Sequence, residues 1–61
     1  MARYLKEHTG VRRTSTYEYG TLITDVCLDS GNRALVCFSD YSEYVDVADL
    51  EYLPHNVIER Y

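Results

Sequence analysis

The sequence predicts a small antiparallel all-β barrel. Three observations predict it. Two apolar strand-like runs, 22–28 and 33–38, carry apolar residues on both faces of a period-two pattern, and 43–47 alternates strictly. Turn-forming clusters, Asp29-Ser30-Gly31-Asn32 and Ser39-Asp40-Tyr41-Ser42, separate these runs at short intervals. No stretch reads as a long helix, and a sheet of short strands closes on itself to avoid open edges.

The elements follow in order. In 1–9, Tyr4 and Leu5 are the large apolar residues after Met1, and Gly10 ends the segment. This predicts an arm or an edge strand. Residues 11–18 are β-branched but lack bulk, which predicts a weak, exposed strand and then a loop. In an extended chain Arg12 and Arg13 fall on opposite faces.

The first strong strand is predicted over Tyr19–Leu28. Leu22, Thr24, Val26 and Leu28 share one face; Ile23, Asp25 and Cys27 share the other. Gly20 suits a bend or bulge. The second strong strand is Arg33–Phe38, with Ala34, Val36 and Phe38 opposed to Leu35 and Cys37. The two are expected as a hairpin about the Asp29–Asn32 turn, with Cys27 opposite Leu35, Val36 or Cys37.

A third strand is predicted over Glu43–Val47, with Val45 and Val47 inward and Tyr44 and Asp46 outward. Ala48-Asp49-Leu50 suits a single tight helical turn. Glu51-Tyr52-Leu53 is expected as the last short strand, stopped by Pro54, which has no N–H for a ladder. Residues 55–61 read as a polar tail that packs back as a helical turn or frays. The chain is thus one domain over 1–61: an arm or strand at 1–9, the barrel at 10–54 and the tail at 55–61.

Composition bounds the function. The chain has 61 residues and a net charge of −4, and so short a chain buries a modest core. Arg3, Lys6, Arg12 and Arg13 outweigh Glu7 and Glu18 in the first twenty residues; the remainder carries Arg33 and Arg60 against eight carboxylates. This acidic balance disfavours general nucleic-acid binding. Cys27 and Cys37 come without metal-ligand spacing, so no metal or other cofactor is expected. No apolar run of signal-peptide or membrane-spanning length is present, so the expectation is a cytoplasmic, intracellular protein with free thiols.

Tyr19-Gly-Thr-Leu-Ile, the Ser30-Gly-Asn turn, Val36-Cys-Phe-Ser-Asp-Tyr-Ser-Glu and Val47-Ala-Asp-Leu together resemble a Tudor domain. The resemblance spans roughly 17–54. It implies a five-stranded Src-homology-3-like barrel with one short helical turn before the last strand. It also implies an aromatic cage for a methylated lysine or arginine, since a poorly hydrated cation sits well against ring faces. Position by position, Tyr19, Phe38 and Tyr41 match cage rings, and Glu43 matches the polar residue that closes the cage. Two departures stand out. The chain has no Trp where the family often supplies one, Tyr17 being the nearest substitute, and Ser42 replaces the usual Gly after the turn tyrosine.

The expected function is a non-enzymatic protein-binding module. Its site would be Tyr19, Phe38, Tyr41 and Tyr44 with Asp40, Glu43 and Asp46, an aromatic, acidic surface around the Phe38–Tyr44 turn that suits a cationic or methylated peptide. The alternative is a small acidic inhibitor of a larger nucleic-acid-processing enzyme, its carboxylates imitating phosphates. His8 and His55 lie at the ends of the chain without a nucleophile at motif spacing, so no enzyme is expected. A homodimer through Ile23, Leu35, Cys37, Val57 and Ile58 is compatible with this reading.

Overall fold

The alternating runs become strands, but shorter ones than the pattern suggests. The computed structural model describes residues 2–29, 31 and 33–60. Its strands are β1 (Ala2–Leu5), β2 (Gly10–Arg13), β3 (Tyr19–Leu22), β4 (Val26–Cys27), β5 (Arg33–Cys37), β6 (Ser42–Asp46), β7 (Leu50–Glu51) and β8 (Ile58–Arg60). Single 3-10 turns occupy Val47–Asp49 and Pro54–Asn56. The fold is all-β and every strand pairing is antiparallel.

Five strands form one sheet in the order β6-β5-β3-β2-β7, and three form another in the order β4-β1-β8. Within the larger sheet β2, β3, β5 and β6 make a meander. The Val47–Asp49 turn then carries the chain back, and β7 pairs with β2, Leu50 opposite Arg13. β6 and β7 are the edges of this sheet, and among the described residues no ladder joins them.

One core lies between the two sheets. Leu5 and Val26 from the smaller sheet meet Val11, Leu22, Ala34, Val36, Phe38, Val45 and Leu50, and all nine are buried. Leu28, Val47, Tyr52 and Val57 pack around them, half-buried. Among the described residues no polar side chain is buried. Of the two faces of each strong strand, the one holding Leu22 and Val26 and the one holding Ala34, Val36 and Phe38 supply the core, while Thr24 is exposed. Val45 is core, and Val47 lies at its margin, inside the 3-10 turn.

Several expectations are corrected. The Tyr19–Leu28 strand breaks at Ile23. The Ile23 N–H donates to the Leu35 carbonyl at 3.0 Å, the chain's last bond to β5 on this path. Asp25 then accepts the Glu7 N–H at 2.8 Å, and Val26 pairs with Leu5 in the other sheet. β3 and β5 do pair, Leu22 opposite Val36, but β4 lies between them, so they are not joined by a tight turn. Cys27 accordingly lies opposite Tyr4, and Cys37 opposite Thr21, and the two form no disulfide. Ser30, Asn32 and Tyr61, which the sequence placed in the turn and the tail, lie outside the described residues.

β2 is central rather than weak and exposed, because Val11 is drawn into the core between β3 and β7. Leu50 is also buried, which moves the strand expected at Glu51–Leu53 back to Leu50–Glu51 and starts the helical turn at Val47; the expected closed barrel is instead two antiparallel sheets. The tail begins with a helical turn, Pro54 standing at its first position, where a missing N–H costs nothing. It then becomes β8 and pairs with β1, which settles the N-terminal segment as a strand.

Gly20 serves close approach. A Cβ there would stand 2.7 Å from Val36 Cγ1 and 2.8 Å from the Cys37 carbonyl oxygen. The glycine lets β3 sit directly on β5 and its side chains.

Candidate functional site

β2 divides the polar surface in two, because its alternation sends Arg12 and Arg13 to opposite sides. The Arg13 side chain is only 12% exposed. Its guanidinium carbon lies 4.6 Å from the centre of the Phe38 ring. One terminal nitrogen is 2.5 Å from Glu43 Oε2, and the other is 3.7 Å from Glu18 Oε1. Tyr41 closes the arrangement: its ring centre is 5.1 Å from that of Phe38, and its hydroxyl donates to Glu18 at 2.7 and 2.9 Å. The β5–β6 hairpin holds these rings, fastened by the Phe38 N–H to the Tyr41 carbonyl at 2.7 Å.

Each group tunes the others. The hydrogen bond to Glu43 raises Arg13 above its ordinary value. The Tyr41 hydrogen bond holds Glu18 below the usual carboxylate range, and the same bond raises Tyr41. Chemically this is an aromatic and acidic cation site of the kind the sequence suggested, and the chain's own Arg13 fills it.

On the other side of β2, Arg12 stacks over Tyr17 and Tyr19, with its guanidinium carbon 5.1 and 5.9 Å from the ring centres. Glu51 of β7 holds the same guanidinium, accepting from Nε at 2.7 Å, and raises its pKa. Tyr17 takes a left-handed backbone, φ 60°, at the end of the 14–16 turn. That turn is pinned to the Val47–Asp49 segment. Thr14 and Ser15 both donate to Asp49, Ser15 Oγ at 2.8 Å, and they hold its carboxyl below the usual range. Such bonds explain how a tyrosine is kept in a conformation that glycine prefers.

Arg12, Tyr19 and Glu51 border an open groove of about 610 Å³. Arg12, Tyr19, Glu51, Tyr52 and Leu53 line it, together with Gly10, Val11 and Gly20. Tyr19 is 74% exposed, Tyr17 67% and Leu53 59%. Two large apolar side chains, Tyr19 and Leu53, thus stand in water in one concavity, with Tyr17 next to it on Arg12, where single scattered ones would need no explanation.

The predicted site residues are therefore divided. Phe38, Tyr41 and Glu43 come together, but around Arg13, and Phe38 is buried. Tyr19 belongs to the groove with Arg12. Asp40 is exposed in the hairpin turn. Tyr44 is exposed on β6, opposite Leu35, and Asp46 pairs with Arg33 at 3.3 Å. Sequence reasoning left out Arg12, Glu51, Tyr52 and Leu53. Their signal was spread over two strands that the sequence does not show to be adjacent.

The carboxylates are largely engaged within the chain. Glu18, Asp29, Glu43, Asp46 and Glu51 each face an arginine, and Asp49 faces Thr14 and Ser15. A phosphate mimic needs them open. Among the described residues, no group of three or more His, Cys, Asp or Glu is arranged to hold a metal, and no helix is long and apolar enough to cross a membrane. No protein-family model, curated protein or solved structure matches this chain.

Proposed function

We propose that this chain is a non-enzymatic protein-binding module, and that it reads an extended, largely apolar peptide segment in the Tyr19 groove. The observation that carries this reading is the exposed pair Tyr19 and Leu53 lining a concavity of about 610 Å³, with exposed Tyr17 stacked on Arg12 beside it. Arg12, held by Glu51, gives the groove a fixed donor beside the rings. A methylated or cationic peptide at Phe38, Tyr41 and Glu43 would have to displace Arg13, so the groove is the better candidate surface.

The strand order supports a Src-homology-3-like architecture for this module. A four-strand meander, a 3-10 turn and a fifth strand returning to the first are the connections of that barrel, and the Tudor-like motif residues at 19–22, 36–43 and 47–50 lie on them. Fold alone does not carry function, so the assignment rests on the groove.

The test is a random-peptide display selection on the folded chain, followed by affinity measurement of the selected peptides. Tyr19→Ala should weaken them about tenfold or more, as truncating an aromatic anchor does. Asp40→Asn, in the β5–β6 turn and outside the groove's lining, should leave them unchanged. Selected peptides that bind Tyr19→Ala as tightly as the wild type would overturn the proposal.

A further inference from the structure

The hydrogen-bond phase of β6 leaves one side of that strand open. The Phe38 N–H to Tyr41 carbonyl bond makes 38 and 41 a hydrogen-bonded pair. Alternation along the ladder then makes Val36–Glu43 and Ala34–Val45 hydrogen-bonded pairs, and Leu35–Tyr44 and Cys37–Ser42 non-hydrogen-bonded ones. The Ile23 N–H to Leu35 carbonyl bond confirms the phase from the other side of β5, since it shows Leu35 turned toward β3. It follows that the N–H and C=O of Ser42 and Tyr44, and the N–H of Asp46, point away from the sheet. At five residues β6 is the longest of the four edge strands.

Edge strands are ordinarily blunted by charge, proline or a bulge. β6 carries two carboxylates, but neither guards the edge. Glu43 turns under the sheet onto Arg13, and Asp46 lies against Arg33. The ring of Tyr44, 63% exposed, stands beside half-buried Leu35.

From this we infer that β6 is a self-association edge: two copies of the chain pair antiparallel through β6 about a two-fold axis at Tyr44. The sequence of the strand is self-complementary in that register. Tyr44 meets Tyr44 of the second copy in a hydrogen-bonded pair, each N–H donating to the other's carbonyl. Ser42 meets Asp46, a hydroxyl donor opposite a carboxylate. Glu43 meets Val45, so no two like charges stand directly opposite one another. An isologous contact of this kind closes on itself and gives a dimer, not a fibre. It lies on the opposite edge of the sheet from β7 and the Tyr19 groove, so it stands or falls independently of the peptide-binding reading.

Sedimentation velocity across a concentration series tests it with the full chain. The wild type should dimerise. Tyr44→Pro removes an N–H that the monomer does not use, so circular dichroism should be retained. It also removes both central intermolecular bonds, which should weaken the dimer on the order of 100-fold. Tyr44→Lys and Tyr44→Glu guard against a proline that fails to fold. Each alone should be monomeric where the wild type is dimeric, and an equimolar mixture should recover a heterodimer. A wild type that stays monomeric up to its solubility limit overturns the inference. So does a dimer that Tyr44→Lys leaves intact, or a mixture that fails to associate.

Discussion

Replacing Gly20 with alanine inserts one methyl group where the structure has no space. The new Cβ would meet Val36 Cγ1 at 2.7 Å, the Cys37 carbonyl oxygen at 2.8 Å and Phe38 Cδ1 at 3.1 Å. Val36 is fully buried and has little room to rotate. The Cys37 carbonyl belongs to β5, which is fixed by β3 on one side and β6 on the other. Overpacking of this kind costs about 1–3 kcal/mol. A chain of this length has roughly 3–9 kcal/mol of total stability, so the loss is a large fraction of the whole. In a domain this small, 2 kcal/mol corresponds to a fall in Tm of about 8–16 °C. Gly10→Ala is the control. It lies on neighbouring β2, with no atom within 4 Å of its new Cβ, and should be neutral or stabilising by about 0.5 kcal/mol. Urea unfolding followed by circular dichroism and tyrosine fluorescence measures both. A Gly20→Ala protein that unfolds with the wild type, or a Gly10→Ala protein that falls as far, would refute the close-approach argument.

Other outcomes follow from the same contacts. Leu22→Ala removes a side chain buried at the centre of the core and should cost about 2–5 kcal/mol, readable as a lost or greatly lowered urea midpoint. Arg13→Ala should lower Tm, whereas Arg33→Ala, which breaks an ion pair exposed on both sides, should leave it unchanged within error. Glu18, Asp29 and Asp49 have depressed folded-state values, through Tyr41, Arg3 and Thr14 respectively. Their stabilisation is complete above the ordinary carboxylate range and is lost as pH falls through the folded values, so thermal melts should show acid lability below about pH 4. Tyr41 is raised above its ordinary value of 10.0, so its contribution is present below that pH and is lost as pH climbs through the folded value. Tyr41→Phe should abolish that alkaline loss and return the Glu18 carboxyl, followed by NMR titration, toward the ordinary range.

The grouping of residues into faces was legible because the period of two survives bends. Leu22 and Val26 stay on one side of the chain even though it changes sheets between them. The break itself was hidden, since it depends on Asp25 meeting the Glu7 N–H, a contact eighteen residues distant. The roles of the two ends were hidden for a similar reason. Ala2–Leu5 and Ile58–Arg60 are weak strands alone and become strands by pairing with each other and with Val26-Cys27. At the site, local sequence grouped Phe38, Tyr41 and Glu43 correctly, since one hairpin carries all three. It had no means of showing that Arg13 reaches them from β2, or that Arg12 would meet Glu51 across a β2–β7 pairing. Those are long-range contacts, and they decide which of the aromatic surfaces is open.

The peptide-binding account is tested most directly by NMR, following backbone amides as a display-selected peptide is added. The account predicts shifts concentrated at Arg12, Tyr19, Glu51, Tyr52 and Leu53, with Arg13 and Tyr41 little moved. Shifts centred on Phe38, Tyr41 and Glu43, with Arg13 released from the Phe38 ring, would contradict it and return the site to the hairpin turn.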